Sequence, residues 1–102
     1  MEITKDQAKR LLSNVPEHCT FKTCDGRVIR NVRDLGKTLA HMADETFRYH
    51  ANHSKNDFSQ WVKTTIGDEQ LASYLDRTTD RKQTLKELSR RITFLSGQLS
   101  SN

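Results

Sequence analysis

The chain has 102 residues, with 17 lysines and arginines against 13 aspartates and glutamates, a net charge of +4, and 33% hydrophobic and 29% charged residues. Ordinary globular chains are roughly 45–50% apolar and about 25% charged, so the expectation is one domain with a thin core that a partner or self-association would help. No run approaches the roughly 20 apolar residues of a membrane span and "MEITKDQAKRLL" has no secretory h-region, which predicts a cytoplasmic protein without membrane contact.

The first predicted helix opens on "TKDQ", where Thr4 and Gln7 have the spacing of a capping box. Ile3, Ala8, Leu11 and Leu12 supply its apolar side, and Asn14 and Pro16 end it. The next stretch, about residues 19–30, alternates in the manner of a β-hairpin and turns at Asp25-Gly26. A three-residue loop with Gly26 in the left-handed conformation would set Phe21 opposite Ile29 on one apolar face; a tighter turn would set it opposite Arg30. Register follows the apolar face, so the bulged loop is expected. On that reading Cys19 and Cys24 lie five positions apart on one strand, on the order of 16 Å. They are then too far apart to bridge and are expected to be reduced thiols.

Asn31 is placed to cap a second helix with Asp34 at its third position, and Val32, Leu35, Leu39 and Met42 form its buried stripe. A short third helix begins near Asp44, with acids in the first turn and Phe47 and Ala51 facing inward. A fourth carries Phe58, Trp61, Val62 and Ile66 at helical spacing and stops at Gly67. Asp68 caps a fifth, whose apolar residues are Leu71, Ala72 and Leu75. The polar "DRTTDRK" then leads into a last helix from about Asp80 to Leu99. The predicted fold is mainly α: a compact bundle of five to six short helices with one hairpin. Its organisation is a helical body over 1–79 and a basic helix over 80–102, either packed back or projecting.

Between the third and fourth helices lies "FRYHANHSKNDFSQW", residues 47–61, the densest group of chemically versatile side chains. As a metal site, His50, His53 and Asp57, with His41 as a further candidate, would be the ligands. His50 ends a helix while His53 follows in the turn, so helix geometry does not aim both at one point, and no Cys-x-x-Cys completes a zinc set. As a catalytic site, His50 and Asp57 would need a nucleophile, yet no glycine-rich elbow or strained turn presents Ser54 or Ser59. A structural corner accounts for more of the residues. Ser54 and Asp57 have capping-box spacing, His53 and Phe58 occupy staple positions, and Asn52 suits a left-handed helix end. His50 suits the negative end of the helix dipole, and Phe58 and Trp61 face the core. The expected roles of His50, Asn52, Ser54, Asp57, Phe58 and Trp61 are therefore structural.

The last helix offers two surfaces. Leu85, Leu88, Ile92, Leu95 and Leu99 step by three and four, the pattern of a coiled-coil seam, over barely two heptads. From Arg81 onward there are five bases and one acid, leaving twelve of each in the preceding residues, so the whole positive excess sits on this segment. Lys82, Lys86, Arg90 and Arg91 form a basic ridge away from the seam, suited to nucleic acid or another anionic surface.

Phe47, Tyr49, His50, Asn52, then Lys55, Asn56, Asp57, Phe58 and Trp61, then Gly67, Asp68, Leu71 and Ala72 match the pattern F-x-Y-H-x-N, K-N-D-F-x-x-W, G-D-x-x-L-A. In this the chain resembles a small prokaryotic domain of unknown function over about residues 25–75. The resemblance implies a compact helical domain and no particular reaction, and it does not reach the basic last helix.

There is no glycine-rich phosphate loop, no carboxylate pair in an apolar setting and no zinc signature, so neither an enzyme nor a cofactor is expected. The leading expectation is an intracellular interaction module that pairs with itself or another protein through its last helix. The alternative is a nucleic-acid-binding protein using the basic ridge.

Overall fold

In the computed structural model, which describes residues 3–100, the chain forms six α-helices and one two-stranded hairpin, so it is mainly α as the sequence predicts. Helix α1 (Lys5–Leu12) begins on the expected capping box. Thr4 Oγ1 accepts from the Gln7 N–H and the Gln7 side chain accepts from the Thr4 N–H. Its buried side is Ala8, Leu11 and Leu12. After it, Val15 N–H donates to Arg30 O at 2.9 Å, fastening the exit of α1 to the end of the hairpin.

The hairpin is shorter than its alternating sequence suggests: β1 (Phe21–Lys22) pairs antiparallel with β2 (Val28–Ile29). The register is Phe21 opposite Ile29, and Gly26 has φ +90°, so the three-residue loop with a left-handed glycine is present. Phe21 and Ile29 are both buried, which is the apolar face that selects this register. Thr23 holds the loop together: its hydroxyl bonds the Asp25 carboxylate and accepts from the Arg27 N–H at 2.9 Å. One expectation fails here. Cys19 lies in a 3₁₀ turn (Glu17–Cys19) and Cys24 in the loop, so the two do not share a strand; both are free thiols.

Helix α2 (Val32–His41) is capped by Asn31, whose side chain accepts from the Asp34 N–H, and it buries Val32, Leu35 and Leu39, with Met42 buried just beyond its end. Helix α3 (Asp44–His50) is anchored by Phe47, and α4 (Asp57–Trp61) runs on as a π-helical segment over Val62–Ile66 before Gly67 ends it at φ +88°. Helix α5 (Glu69–Asp76) starts from Asp68, whose carboxylate accepts from the Leu71 N–H.

Helix α6 (Arg81–Ser100) spans about 30 Å at 1.5 Å per residue. It is packed back along α1, α2 and α5 and buries Thr84, Leu88, Arg91 and Leu95. Its start is pinned by Arg81, whose Nε donates to Asp44 Oδ1 and whose Nη1 donates to Leu39 O, both at 2.8 Å. One side chain thus satisfies an end carbonyl of α2 and joins the start of α3 to α6. Among the described residues no helix is long and apolar enough to cross a membrane.

Candidate functional site

The mid-chain corner is a sealed joint. Phe58 and Ala51 are fully buried, and Phe21 stacks on Phe58 with ring centroids 5.2 Å apart, as does Phe47 at 5.6 Å. Phe21 also makes T-shaped contacts with Trp61 and His50, ring centroids 5.9 and 5.2 Å apart. The hairpin is thereby held on α3 and α4 by one aromatic cluster. Trp61 places its indole N–H on Cys19 O at 2.8 Å, satisfying the one polar atom it carries inward.

His50 is 5% exposed and both its ring nitrogens are engaged. Cys24 N–H donates to Nε2 at 3.0 Å, and a backbone N–H can only donate, so Nε2 is the bare nitrogen. The proton therefore sits on Nδ1 and is donated to Asp57 Oδ2 at 3.0 Å. Lys55 Nζ reaches the same oxygen at 3.0 Å and lies 4.8 Å over the Tyr49 ring. Burial pushes the Asp57 carboxyl up, but the hydrogen bonds from His50 and Lys55 and the lysine charge outweigh it and hold the group below its ordinary value. An acid–base catalyst needs a nitrogen facing a substrate, and this ring has none free. Among the described residues no three His, Cys, Asp or Glu side chains gather as metal ligands.

Two expected roles in this corner are corrected. Ser54 does not cap α4; Asn56 does, with its side-chain oxygen accepting from the Ser59 N–H at 3.0 Å. A tight turn decides the matter: Asn52 N–H donates to Lys55 O at 2.8 Å and Ala51 bridges Asn56, so Ser54 sits at an exposed bend. Asn52 does not adopt the left-handed conformation, which among the described residues only glycines adopt. It braces the turn through its side chain, donating to Arg48 O and accepting from the Ser54 N–H.

Arg91 also leaves its expected place. It is 8% exposed and makes a two-pronged bond to Asp68, Nε to Oδ2 at 2.8 Å and Nη2 to Oδ1 at 3.0 Å. It therefore joins α6 to the cap of α5 and is no ligand for phosphate. Its position three residues after Leu88 and four before Leu95 places it within the apolar stripe, the sequence signal for a buried partner. The stripe is likewise used within the chain: Leu88 and Leu95 are fully buried, so neither is available to another molecule, while Leu85, Ile92 and Leu99 remain partly exposed.

Lys82, Lys86 and Arg90 are exposed. Arg90 lies 3.7 Å from Glu87 at the outer flank of α6. Beyond it, α5 and α6 border a cleft of about 500 Å³ lined by Tyr74, Glu87, Arg90 and Phe94, the last 43% exposed. Glu87 and the Asp68 carboxylate on Arg91 offset the cations there. The opposite flank differs: an open groove of about 440 Å³ runs between α2 and α6 over Gly36, Ala40, Leu85, Ser89 and Ile92. Arg33 and Lys37 line it and no carboxylate does. Lys82 and Lys86, seven and three residues before Ser89, extend the same edge of α6. Among the described residues none of Arg33, Lys37, Lys82 and Lys86 is in an ion pair; Asp44, near Lys82, is bonded to Arg81.

These features define a small helical domain with a locked polar interior and one cationic, apolar-floored face. The chain belongs to the family of unknown function DUF5752, whose model matches residues 16–96. That match extends well past the residues carrying the resemblance and takes in most of α6, so the basic helix is part of the family's domain. No curated protein and no solved structure matches the chain.

Proposed function

We propose that the protein is a non-enzymatic binding module that engages an anionic macromolecule through the face formed by α2 and α6. The observation that carries this reading is that Arg33 and Lys37 line an open apolar groove with no carboxylate in it, Lys82 and Lys86 stand exposed on α6, and among the described residues none of the four is in an ion pair, in a chain whose other residues balance in charge. The most versatile side chains elsewhere, His50, Asp57, Asp68 and Arg91, bond to one another and to the backbone, which leaves none poised for chemistry. Pairing with a second copy is less well served. Leu88 and Leu95 are occupied internally, and a two-fold partner would set the same cations against each other.

The test is anisotropy of labelled polyanions (poly-glutamate, heparin oligosaccharide and duplex DNA) titrated with protein at low salt. At least one should bind, and the affinity should fall with salt. Charge reversal at Lys37 and Lys86 together should remove most of that binding, while reversal at Lys5 and Lys9 on α1 should change it little. Failure of all three polyanions to bind, or equal loss from the two reversals, overturns the proposal.

A further inference from the structure

Resting on that reading, we infer that the partner presents an acidic amphipathic helix, which lies in the groove between α2 and α6 as a third helix. The groove floor alternates small and branched residues: Gly36 and Ala40 are one turn apart on α2, and Leu85, Ser89 and Ile92 extend over two turns of α6. Side chains of an incoming helix at i, i+3, i+4 and i+7 match that length, and small residues at the bottom let its backbone come near. Gly36 is informative because packing inside the chain does not require it. A Cβ there would meet Leu88 Cδ2 at 3.6 Å and Ile92 Cδ1 at 3.7 Å, ordinary contact distances. A side chain there would lie against α6 at the seam, so the glycine keeps the groove floor low between the two helices, despite the cost that a mid-helix glycine carries.

Other anionic occupants fit this face less well. Phosphates would find the cations but gain nothing from an apolar floor, and the exposed aromatic of α6, Phe94, lies on the other flank, out of reach for base stacking. A membrane would require projecting apolar residues, whereas Leu85 and Ile92 are partly buried between two helices. A strand needs an unpaired sheet edge to join, and two helices offer none. Arg33 and Lys37 on the α2 wall, with Lys82 and Lys86 exposed on α6, select carboxylates on both flanks of the bound helix, which also sets its rotation.

The experiment uses the whole chain and two synthetic peptides of about 18 residues with the same composition. One has leucine and alanine along one helical face and glutamate on both flanks; the other is scrambled to destroy the periodicity. Calorimetry should show the amphipathic peptide binding at least about tenfold tighter than the scrambled one, with peptide helicity rising on binding. Ala40→Trp fills the groove from an exposed position and should erase the difference between the peptides while poly-glutamate still binds. Equal affinity for both peptides, or binding of duplex DNA alone, overturns the helix inference and leaves the anionic-partner reading standing. Absence of binding to every probe overturns both. Retention of the preference in Ala40→Trp moves the site elsewhere and also overturns the inference.

Discussion

Replacing Arg91 by methionine tests the reassignment of that residue from surface ridge to interior tie. The guanidinium bonds Asp68 at 2.8 and 3.0 Å, with the two side chains 8% and 2% exposed. Methionine keeps much of the side-chain length and removes the charge, leaving the Asp68 carboxylate buried with the Leu71 N–H as its remaining partner. Breaking a buried pair from one side costs about 3–5 kcal/mol, because the abandoned charge keeps its desolvation penalty. Against a total of about 5–15 kcal/mol for a domain, this is a large fraction. At roughly 4–8 °C per kcal/mol for a domain of this size, the midpoint should fall by about 15–30 °C. Thermal and urea unfolding followed by circular dichroism would measure it. Asp68→Asn combined with Arg91→Met should recover about half of the loss or more, since asparagine still caps α5 and no charge is left stranded. The affinity of folded Arg91→Met for poly-glutamate should stay within about twofold of the parent, 0.4 kcal/mol or so by the tenfold-per-1.4 rule. A fall of less than about 5 °C, roughly 1 kcal/mol, would refute the reasoning and return Arg91 to the surface.

Asn56→Ala should cost about 1–2 kcal/mol in urea unfolding, because it removes both the cap of α4 and the 2.9 Å bond from Asn56 Nδ2 to Leu75 O; Ser54→Ala should stay within about 0.5 kcal/mol. The lowered carboxyl of Asp57 contributes stability that is present above its ordinary value of 3.8 and lost as pH falls through the lower folded value. Asp57→Asn should therefore flatten the stability profile between about pH 4 and its acid end, as read from midpoints across a pH series. The two tested glycines should respond with opposite signs: Gly67→Ala, at φ +88°, should destabilise by about 1–2 kcal/mol, whereas Gly36→Ala should stabilise by up to about 1 kcal/mol. Lys86→Glu should raise the thermal midpoint by a few degrees, having replaced like-charge neighbours at Lys82 and Arg90 by opposite ones, about 0.5–1 kcal/mol in all, while weakening polyanion binding.

Features fixed by local geometry were legible in the sequence. Thr4 with Gln7, Asn31 with Asp34, and Asp68 each announce a helix start within three residues, and Gly26 and Gly67 mark the two left-handed positions. The hairpin register followed because Phe21 and Ile29 had to share one buried face. What escaped depends on partners far along the chain. Ser54 and Asn56 are both able caps, and the choice is made by the turn at Asn52–Lys55 and by Leu75, nineteen residues beyond Asn56. Asp68 already had an explanation as a cap, so nothing nearby called for a guanidinium twenty-three residues later. The tie from His50 to the Cys24 N–H crosses twenty-six residues and uses a backbone group, which has no sequence signature at all. The π-helical turn over Val62–Ile66 is likewise silent, because its residue types suit an ordinary helix equally well.

The cations of the α2 and α6 face stand apart because none of them meets a carboxylate among the described residues: Arg33 donates to Ser96 Oγ at 2.8 Å, and Lys37, Lys82 and Lys86 are in no ion pair. Arg33 and Lys37 are four residues apart on one helix, and so are Lys82 and Lys86 on the other. Each such like-charge pair disfavours its helix by about 0.2–0.5 kcal/mol, so together they cost the domain on the order of 1 kcal/mol. Elsewhere the chain spends its charges differently. Arg81 holds Asp44 and Arg91 holds Asp68, each joining α6 to the start of an earlier helix, and Lys55 holds Asp57 locally at the start of α4. A helix face shaped only by stability would interleave glutamates with these lysines, as the i, i+4 rule favours. Unpaired cations concentrated beside an open apolar groove are what remains when a contact outside the chain supplies the missing carboxylates.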